Sequence, residues 1–325
     1  MLYPLKFIPQ IKEKVWGGRK LNTCLQKSIS TQNAGESWEI SGIEGDLSIV
    51  SNGFLSGKNI FEIISEYKDE IVGKAIYEKF GNNFPLLIKF IDAADDLSVQ
   101  VHPDDEFAAK VHNENGKNEF WYVIDVDNDA ELILGFNKQL TKQEYLNSVE
   151  NKTIHNHLNH IKVQKGDAAF IPAGRVHAIM KGVLLAEIQQ TSDLTYRIYD
   201  WDRKDLNGQY RALHNDLASQ VVDLNVRNNY LVTFVIVPNV SVNLTRNRFF
   251  TVNILELNKN KKVQWTPLQS FVILMMLEGN AEILYSEDES LNFQAGETIL
   301  IPVFLKQIEI VPNKTCKFLE IYIES

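Results

Sequence analysis

Cysteine is almost absent. Cys24 and Cys316 are the only two, they lie far apart, and no C-x-x-C pair exists. That excludes a disulfide framework and a thiolate metal knot, and a reduced, cytoplasmic setting is expected. Positive charge is in deficit, with 33 Lys and Arg against 42 Asp and Glu, a net charge of −9. A surface of that sign repels nucleic acid and anionic membranes, so neither is an expected partner. A phosphorylated small molecule stays open, because a local basic pocket decides that case. Long apolar runs are missing too. The longest, Phe271 to Leu277, is far too short to span a bilayer. Met1 to Lys6 has no charged segment leading into an apolar stretch, and no secretory signal is expected. Histidine is scarce, and none occurs after His214.

What is present is ordinary for a globular chain: 325 residues, 44% apolar and 23% charged, enough for a large core in one or two domains. Residues 1–57 read as short strands and turns, with Lys14 to Gly18 and Gly35 to Ser41 as the clearest. Trp16 and Trp38 are expected to pack in the core. Between 58 and 80 the period changes: Ile60, Ile63, Ile64, Tyr67, Ile71 and Ile76 recur at helical spacing, and Gly81 ends the run. Phe84 to Asp92 is a buried strand, near-continuously apolar. Its lone interior charge, Lys89, must reach solvent, an acid or a ligand phosphate. Residues 141–158 are helical, with Thr141 as N-cap and Glu144 completing a capping box. His155, His157 and His160 sit there among Asn and Lys and read as solvated surface, as do His112 and His214. Residues 204–222 look polar and partly helical.

An internal repeat sets the domain plan. Lys165-Gly166-Asp167 to Ile171-Pro172 returns as Ala295-Gly296-Glu297 to Ile301-Pro302, each copy within a strand-rich stretch. Two small antiparallel barrels explain it better than one irregular sheet. A catalytic unit over 1–240, with helical segments near 58–80, 141–158 and 204–222, and a structural unit over 241–325 are expected. The second unit has no histidine, so the chemistry belongs to the first.

The candidate site is a set of strand positions. Gln100 and His102, two apart, share one face. Glu119 opens the aromatic and β-branched strand Glu119 to Ile124. His177 follows the Pro172-Ala173-Gly174 turn. Neighbouring in a barrel, these four would offer an amide oxygen, two imidazoles and a carboxylate, a set that suits one divalent metal such as zinc with a position left open. Seen singly, His177 could be a loop histidine and Glu119 or Gln100 a solvent-facing polar residue; four coincidences together outweigh that. Glu187 and Gln189 share a strand face, and Arg197 alternates with Tyr199 and Trp201 on another strand. An arginine among aromatic rings suits an anion or a developing oxyanion, or else a structural Arg–Asp pair.

The wording of these motifs closely resembles type I phosphomannose isomerase. Gln100-Val101-His102-Pro103-Asp104-Asp105, Lys117-Asn118-Glu119-Phe120-Trp121-Tyr122, Ile171-Pro172-Ala173-Gly174-Arg175-Val176-His177-Ala178, and Thr191-Ser192-Asp193 leading to Arg197 follow in order, and the likeness runs from Trp16-Gly17-Gly18 into the second unit. The resemblance implies a mainly β fold of two cupin-type (jelly-roll) β-barrels with a helical insert. It implies one zinc ion held by Gln100, His102, Glu119 and His177, and interconversion of mannose 6-phosphate and fructose 6-phosphate through a cis-enediol. It places the catalytic arginine on Arg197, with Asp193 before it, and it makes Lys117 and Glu187 competing candidates for proton transfer. Several larger members carry a histidine before that lysine where this chain has Gly116, so no role of that histidine transfers. The alternatives are a cupin isomerase of another phosphosugar, such as glucose 6-phosphate, or a non-enzymatic sugar-binding cupin. Iron cupins usually begin with His-x-His, and Gln100 disfavours them.

Overall fold

Residues 1–265 and 268–324 are described by a computed structural model. Extended segments rich in β-branched and aromatic residues pair antiparallel throughout, in four sheets. The first is five-stranded, in the order Tyr196–Tyr199, Val99–Val101, His177–Ile179, Glu131–Phe136, Leu158–Lys162. The second is six-stranded: Gln10–Gly18, Ala34–Ile40, Leu86–Asp92, Val183–Gln190, Glu119–Val126, Ala168–Ile171. The third is also six-stranded: Leu5–Lys6, Thr298–Ile301, Val272–Glu278, Cys316–Tyr322, Thr251–Leu257, Val242–Arg246. The fourth has four strands: Lys261–Gln264, Gln307–Pro312, Asn280–Leu284, Ser290–Gln294.

The sheets stack through three cores. Trp121, Val123 and Leu185 of the second sheet meet Leu132, Leu134 and Ile179 of the first. Leu255, Leu274 and Phe318 of the third meet Ile283, Phe293 and Ile308 of the fourth. The other faces of the second and third sheets share the largest core, where Ile88, Phe90 and Ile188 meet Ile254, Met275 and Ile321. The longest apolar run is thus a strand buried on both sides: Ile273, Met275 and Leu277 enter one core, Val272, Leu274 and Met276 the other.

The two closed β-barrels expected from the sequence are not formed. The mainly β class and the helical insert stand, but every sheet is open and none pairs its first strand with its last. Alternating hydrophobicity records which faces are buried, and that demand is met equally by a sheet closed on itself and by two open sheets packed face to face. The third sheet also takes in the N-terminal strand, since Leu5 and Lys6 pair with Leu300 and Ile299.

The helices cover edges and faces of these layers. Helical spacing over 58–80 resolves into Ile60–Tyr67, Asp69–Val72 and Lys74–Phe80, started by an Asn59–Glu62 capping box. The interruptions fall at Lys68 and Gly73, both at positive φ. A Cβ on Gly73 would lie 2.0 Å from the Gln269 carbonyl oxygen, so the approach of the segment leading into the strand Val272–Glu278 requires glycine there. Thr141 and Glu144 form the second capping box, at the start of Lys142–Glu150. Two further helices, Lys20–Thr23 and Asp105–His112, a 3₁₀ turn, Ile154–His157, and the helix Asn215–Val221 complete the set among the described residues. No helix among the described residues is long and apolar enough to cross a membrane.

Candidate active site and metal centre

Strand register brings the donors together. His177 and Arg197 are both register partners of Gln100, from opposite sides of its strand, so all three side chains leave the first sheet on one face. Glu119 comes from the second sheet, which packs against that face. One donor atom from each of His102, Glu119 and His177 lies within 4.8 Å of the others, and all three residues are buried. Glu119 Oε1 is 3.2 Å from His102 Nε2, and Glu119 Oε2 is 3.5 Å from His177 Nε2.

Both imidazoles are aimed from behind. His102 Nδ1 donates to the Leu194 carbonyl at 2.8 Å, and His177 Nδ1 donates to the Arg175 carbonyl at 2.8 Å. Each ring is therefore the tautomer whose Nε2 lone pair faces the centre. Burial keeps both rings neutral, and with the nearby Lys117 charge it pushes His102 down to about 3. Burial works against ionisation of Glu119, but the Lys117 ammonium, 3.0 Å from Oε1, together with His102 and His177 outweighs it and holds the carboxyl well below the usual range. Even so, Lys117 is not aligned for a hydrogen bond. His102 Nε2 and both Glu119 oxygens are buried without a hydrogen-bond partner. Three converging lone-pair donors left orphaned in a buried spot are unfavourable unless a cation lies between them, and this donor set fits a single divalent metal such as zinc. Gln100 Nε2 lies 3.3 Å from His177 Nε2, while its Oε1 faces Ser98 Oγ at 3.5 Å. The two ends of an amide are nearly the same size, and a half-turn would present Oε1 beside His177 instead.

A row of charge crosses the second sheet beside these donors. Lys89 is the register partner of Glu187, which in turn faces Trp121. Lys89 Nζ lies 3.1 Å from Glu187 Oε1 and 3.9 Å from Glu36 Oε2. Trp121 Nε1 donates to Glu187 at 2.8 Å, and Trp38 Nε1 donates to Glu36 at 2.6 Å. Burial and the neighbouring Glu119 charge raise the Glu187 carboxyl. Burial disfavours the Lys89 ammonium, yet Glu187 and Glu36 overcome it and raise its proton affinity.

These groups open on a cleft of about 280 Å³ that Lys14, Lys89, Lys117, Arg197 and Arg211 make basic. Arg197 lies along its wall, with Nε donating to Ser98 Oγ at 3.3 Å and Nη1 to the Ala212 carbonyl at 2.8 Å. It forms no ion pair with an aspartate among the described residues. Asp200 instead grips Arg203 and Arg211. Asp193 is exposed at the rim. Trp16 and Trp38 are buried, and Trp16 also lines the cleft. His155 and His160 are exposed and far from the centre in the fold, His160 pairing with Glu131.

Sequence reasoning missed Glu36, Ser98 and Arg211, which show no local pattern. It also set His214 aside as surface, whereas its Nδ1 accepts from the Arg197 backbone N–H at 3.1 Å. Lys89 was legible as the lone charge in an apolar strand, and of the three partners open to it the structure supplies an acid.

Comparison with known proteins agrees with this geometry. Residues 4–145 match the family described as phosphomannose isomerase type I, catalytic domain, and residues 241–322 match the mannose-6-phosphate isomerase cupin domain. The chain is 43% identical to the probable mannose-6-phosphate isomerase GmuF of Bacillus subtilis, over 69% of this chain and 70% of that one. It is 34% identical to mannose-6-phosphate isomerase ManA of the same organism, over 96% and 97% of the two chains. A crystal structure of the mannose 6-phosphate isomerase from Bacillus subtilis superposes with a TM-score of 0.89 at 32% identity, covering 99% of this chain and all of the other. End-to-end likeness of that degree, together with the buried His102, Glu119 and His177 cluster, means that the chain belongs to the type I phosphomannose isomerases, within the cupin superfamily.

Proposed function

We propose that this protein interconverts mannose 6-phosphate and fructose 6-phosphate with one zinc ion per chain, held by Gln100, His102, Glu119 and His177. The observation that carries the reading is the trio of orphaned donor atoms on His102 and Glu119, beside a basic cleft whose lining residue Lys117 lies 3.0 Å from Glu119. A divalent cation bound there supplies Lewis-acid stabilisation of charge on adjacent sugar oxygens.

The chain's own residues do the rest. Isomerisation takes a proton from C2, leaves an enediolate, and returns a proton to C1. Lys117 and Glu187 are the proton-transfer candidates, and both line the cleft. Glu187 is suited to hold a proton because burial and Glu119 raise its carboxyl. Arg197, anchored by Ser98 and the Ala212 carbonyl and in no ion pair with a carboxylate among the described residues, is free to face developing negative charge on the enediolate. Arg211, held at its Nε and Nη2 by Asp200, keeps its Nη1 for the sugar phosphate. Asp193 at the rim stands four residues before Arg197 and bears on how that segment meets the substrate.

All of these side chains lie within the first 240 residues, and we read 241–325 as a structural unit. Cytoplasmic residence belongs to the same reading, supported by two unbridged cysteines, exposed Cys24 and buried Cys316. The test is a coupled assay for fructose 6-phosphate made from mannose 6-phosphate, with glucose 6-phosphate as competitor substrate, before and after chelation and zinc add-back. Turnover of mannose 6-phosphate that is lost on chelation and restored by zinc is the expected result. Binding without turnover would favour a sugar-binding role instead.

A further inference from the structure

Three chain segments must hold their spacing for the donors to converge, and one amide side chain ties them together. Asn118 is 6% exposed and sits between Lys117 and Glu119. Its Nδ2 donates to Gln190 Oε1 at 2.7 Å, and its backbone N–H donates to the same oxygen at 3.1 Å. The Gln190 backbone N–H donates back to the Asn118 carbonyl at 3.2 Å. On its other side, Asn118 Oδ1 accepts from the Ala173 N–H at 3.0 Å. Ala173 lies in the turn ahead of His177, and the next residue, Gly174, donates its N–H to the His102 carbonyl at 2.9 Å. Gln190 Nε2 continues the chain to Asp105 Oδ1 at 2.9 Å, which also accepts the Gly116 N–H at 3.0 Å.

We infer that Asn118 is a positioning residue of the metal centre: its amide fixes the distance between Glu119 and the turn bearing His177, and thereby sets metal affinity without touching metal or sugar. The job needs both ends of an amide. Gln190 requires a donor and Ala173 requires an acceptor. Aspartate keeps only the second, and alanine keeps neither, leaving the Ala173 N–H unpaired and Gln190 Oε1 held by the backbone N–H of residue 118 alone. Metal–ligand bonds tolerate drifts of only about 0.2 Å, so a loosened turn is felt directly in affinity.

The inference rests on the metal reading above, and the experiment separates the two. Zinc and cobalt affinities are measured by chelator competition on the full-length wild type, Asn118→Ala, Gln190→Leu and the double variant. Cobalt absorption spectra and melting curves without metal accompany them. Asn118→Ala is expected to bind about 10–100-fold more weakly, the range typical for partners that orient ligands, with a changed cobalt spectrum. Adding Gln190→Leu should cost little more, because both changes break one chain of bonds. A folded Asn118→Ala with wild-type affinity and spectrum overturns the inference, whatever its melting temperature. If Asn118→Ala does not fold, Gln190→Leu decides: weaker metal binding supports the inference, and wild-type affinity overturns it. A wild type that binds neither metal overturns the metal reading and this inference with it.

Discussion

Glu119 Oε1 and His102 Nε2 face each other across 3.2 Å, and neither has a hydrogen-bond partner. His102 spends its N–H on the Leu194 carbonyl, so what it turns toward the carboxylate is a lone pair. Two acceptors at that distance repel unless positive charge lies between them. Removing metal should therefore cost stability as well as activity. Dialysis against a chelator is expected to abolish turnover and lower the Tm, and zinc should restore both, the Tm rising further with zinc concentration as linkage requires. Glu119→Gln is expected to show neither response in a metal-dependent melting series.

Arg197 and Arg211 line one cleft but are held differently, and kinetics should separate them. Arg197 is fixed by Ser98 and by a carbonyl, and it forms no ion pair with a carboxylate among the described residues. Arg197→Ala is expected to lower kcat by about 10²–10³-fold, as removal of a donor aimed at a developing oxyanion does. Arg211→Ala should instead raise KM by about 10–100-fold with kcat little changed, which is the loss of a charge-assisted contact made equally in ground and transition states. Steady-state kinetics on both variants check this. An Arg197→Ala enzyme altered in KM alone would exchange the two roles.

Lys89 sits at 4% side-chain exposure between Glu187 at 3.1 Å and Glu36 at 3.9 Å. Replacing it with Met keeps the volume, strands the Glu187 carboxylate and leaves Glu36 with Lys14, 3.3 Å away, as its remaining cation. The expected loss is about 3–5 kcal/mol, the usual result of removing one partner from a buried ionic group. Urea unfolding with metal present measures it. Lys89→Met combined with Glu187→Gln should recover part of the loss, because the stranded charge is gone.

How much of this was legible in advance follows from the range of each interaction. Strand faces could be read because alternation is local, and Gln100 and His102 share a face for that reason alone. The Thr141–Glu144 capping box could be read because its partners lie within one helical turn. Sheet closure could not, since Val272 to Leu277 is apolar throughout and is buried on both faces whether its sheet curls into a barrel or packs between two others. Glu36 and Arg211 were invisible because what matters is their partners, Lys89 and Asp200, which register and a loop bring near. Asn118 was hidden by standing between Lys117 and Glu119, two residues with louder chemistry. Its importance lies in Gln190 and Ala173, each more than fifty positions away.

Glu36 sets an acid limit on the fold. Burial would raise its carboxyl, but Lys89 and Lys14 outweigh burial and lower it from the ordinary 4.5 to about 2. A folded-state value below the unfolded one means that the carboxylate stabilises the fold at every pH above the unfolded value. That contribution fades as pH falls from about 4.5 toward 2, because protons then bind the unfolded chain more readily. The depression corresponds to roughly 3 kcal/mol at neutral pH. Glu36→Gln should be less stable than the wild type at pH 7 by up to that amount, with the gap narrowing steadily below pH 4.5. Buried His102 must also take up a proton in acid, but it does so in both proteins, so the difference between the two curves isolates Glu36. Urea midpoints from pH 3 to 7 provide the measurement. A gap that stays constant across that range would mean that the lysines do not hold Glu36 ionised.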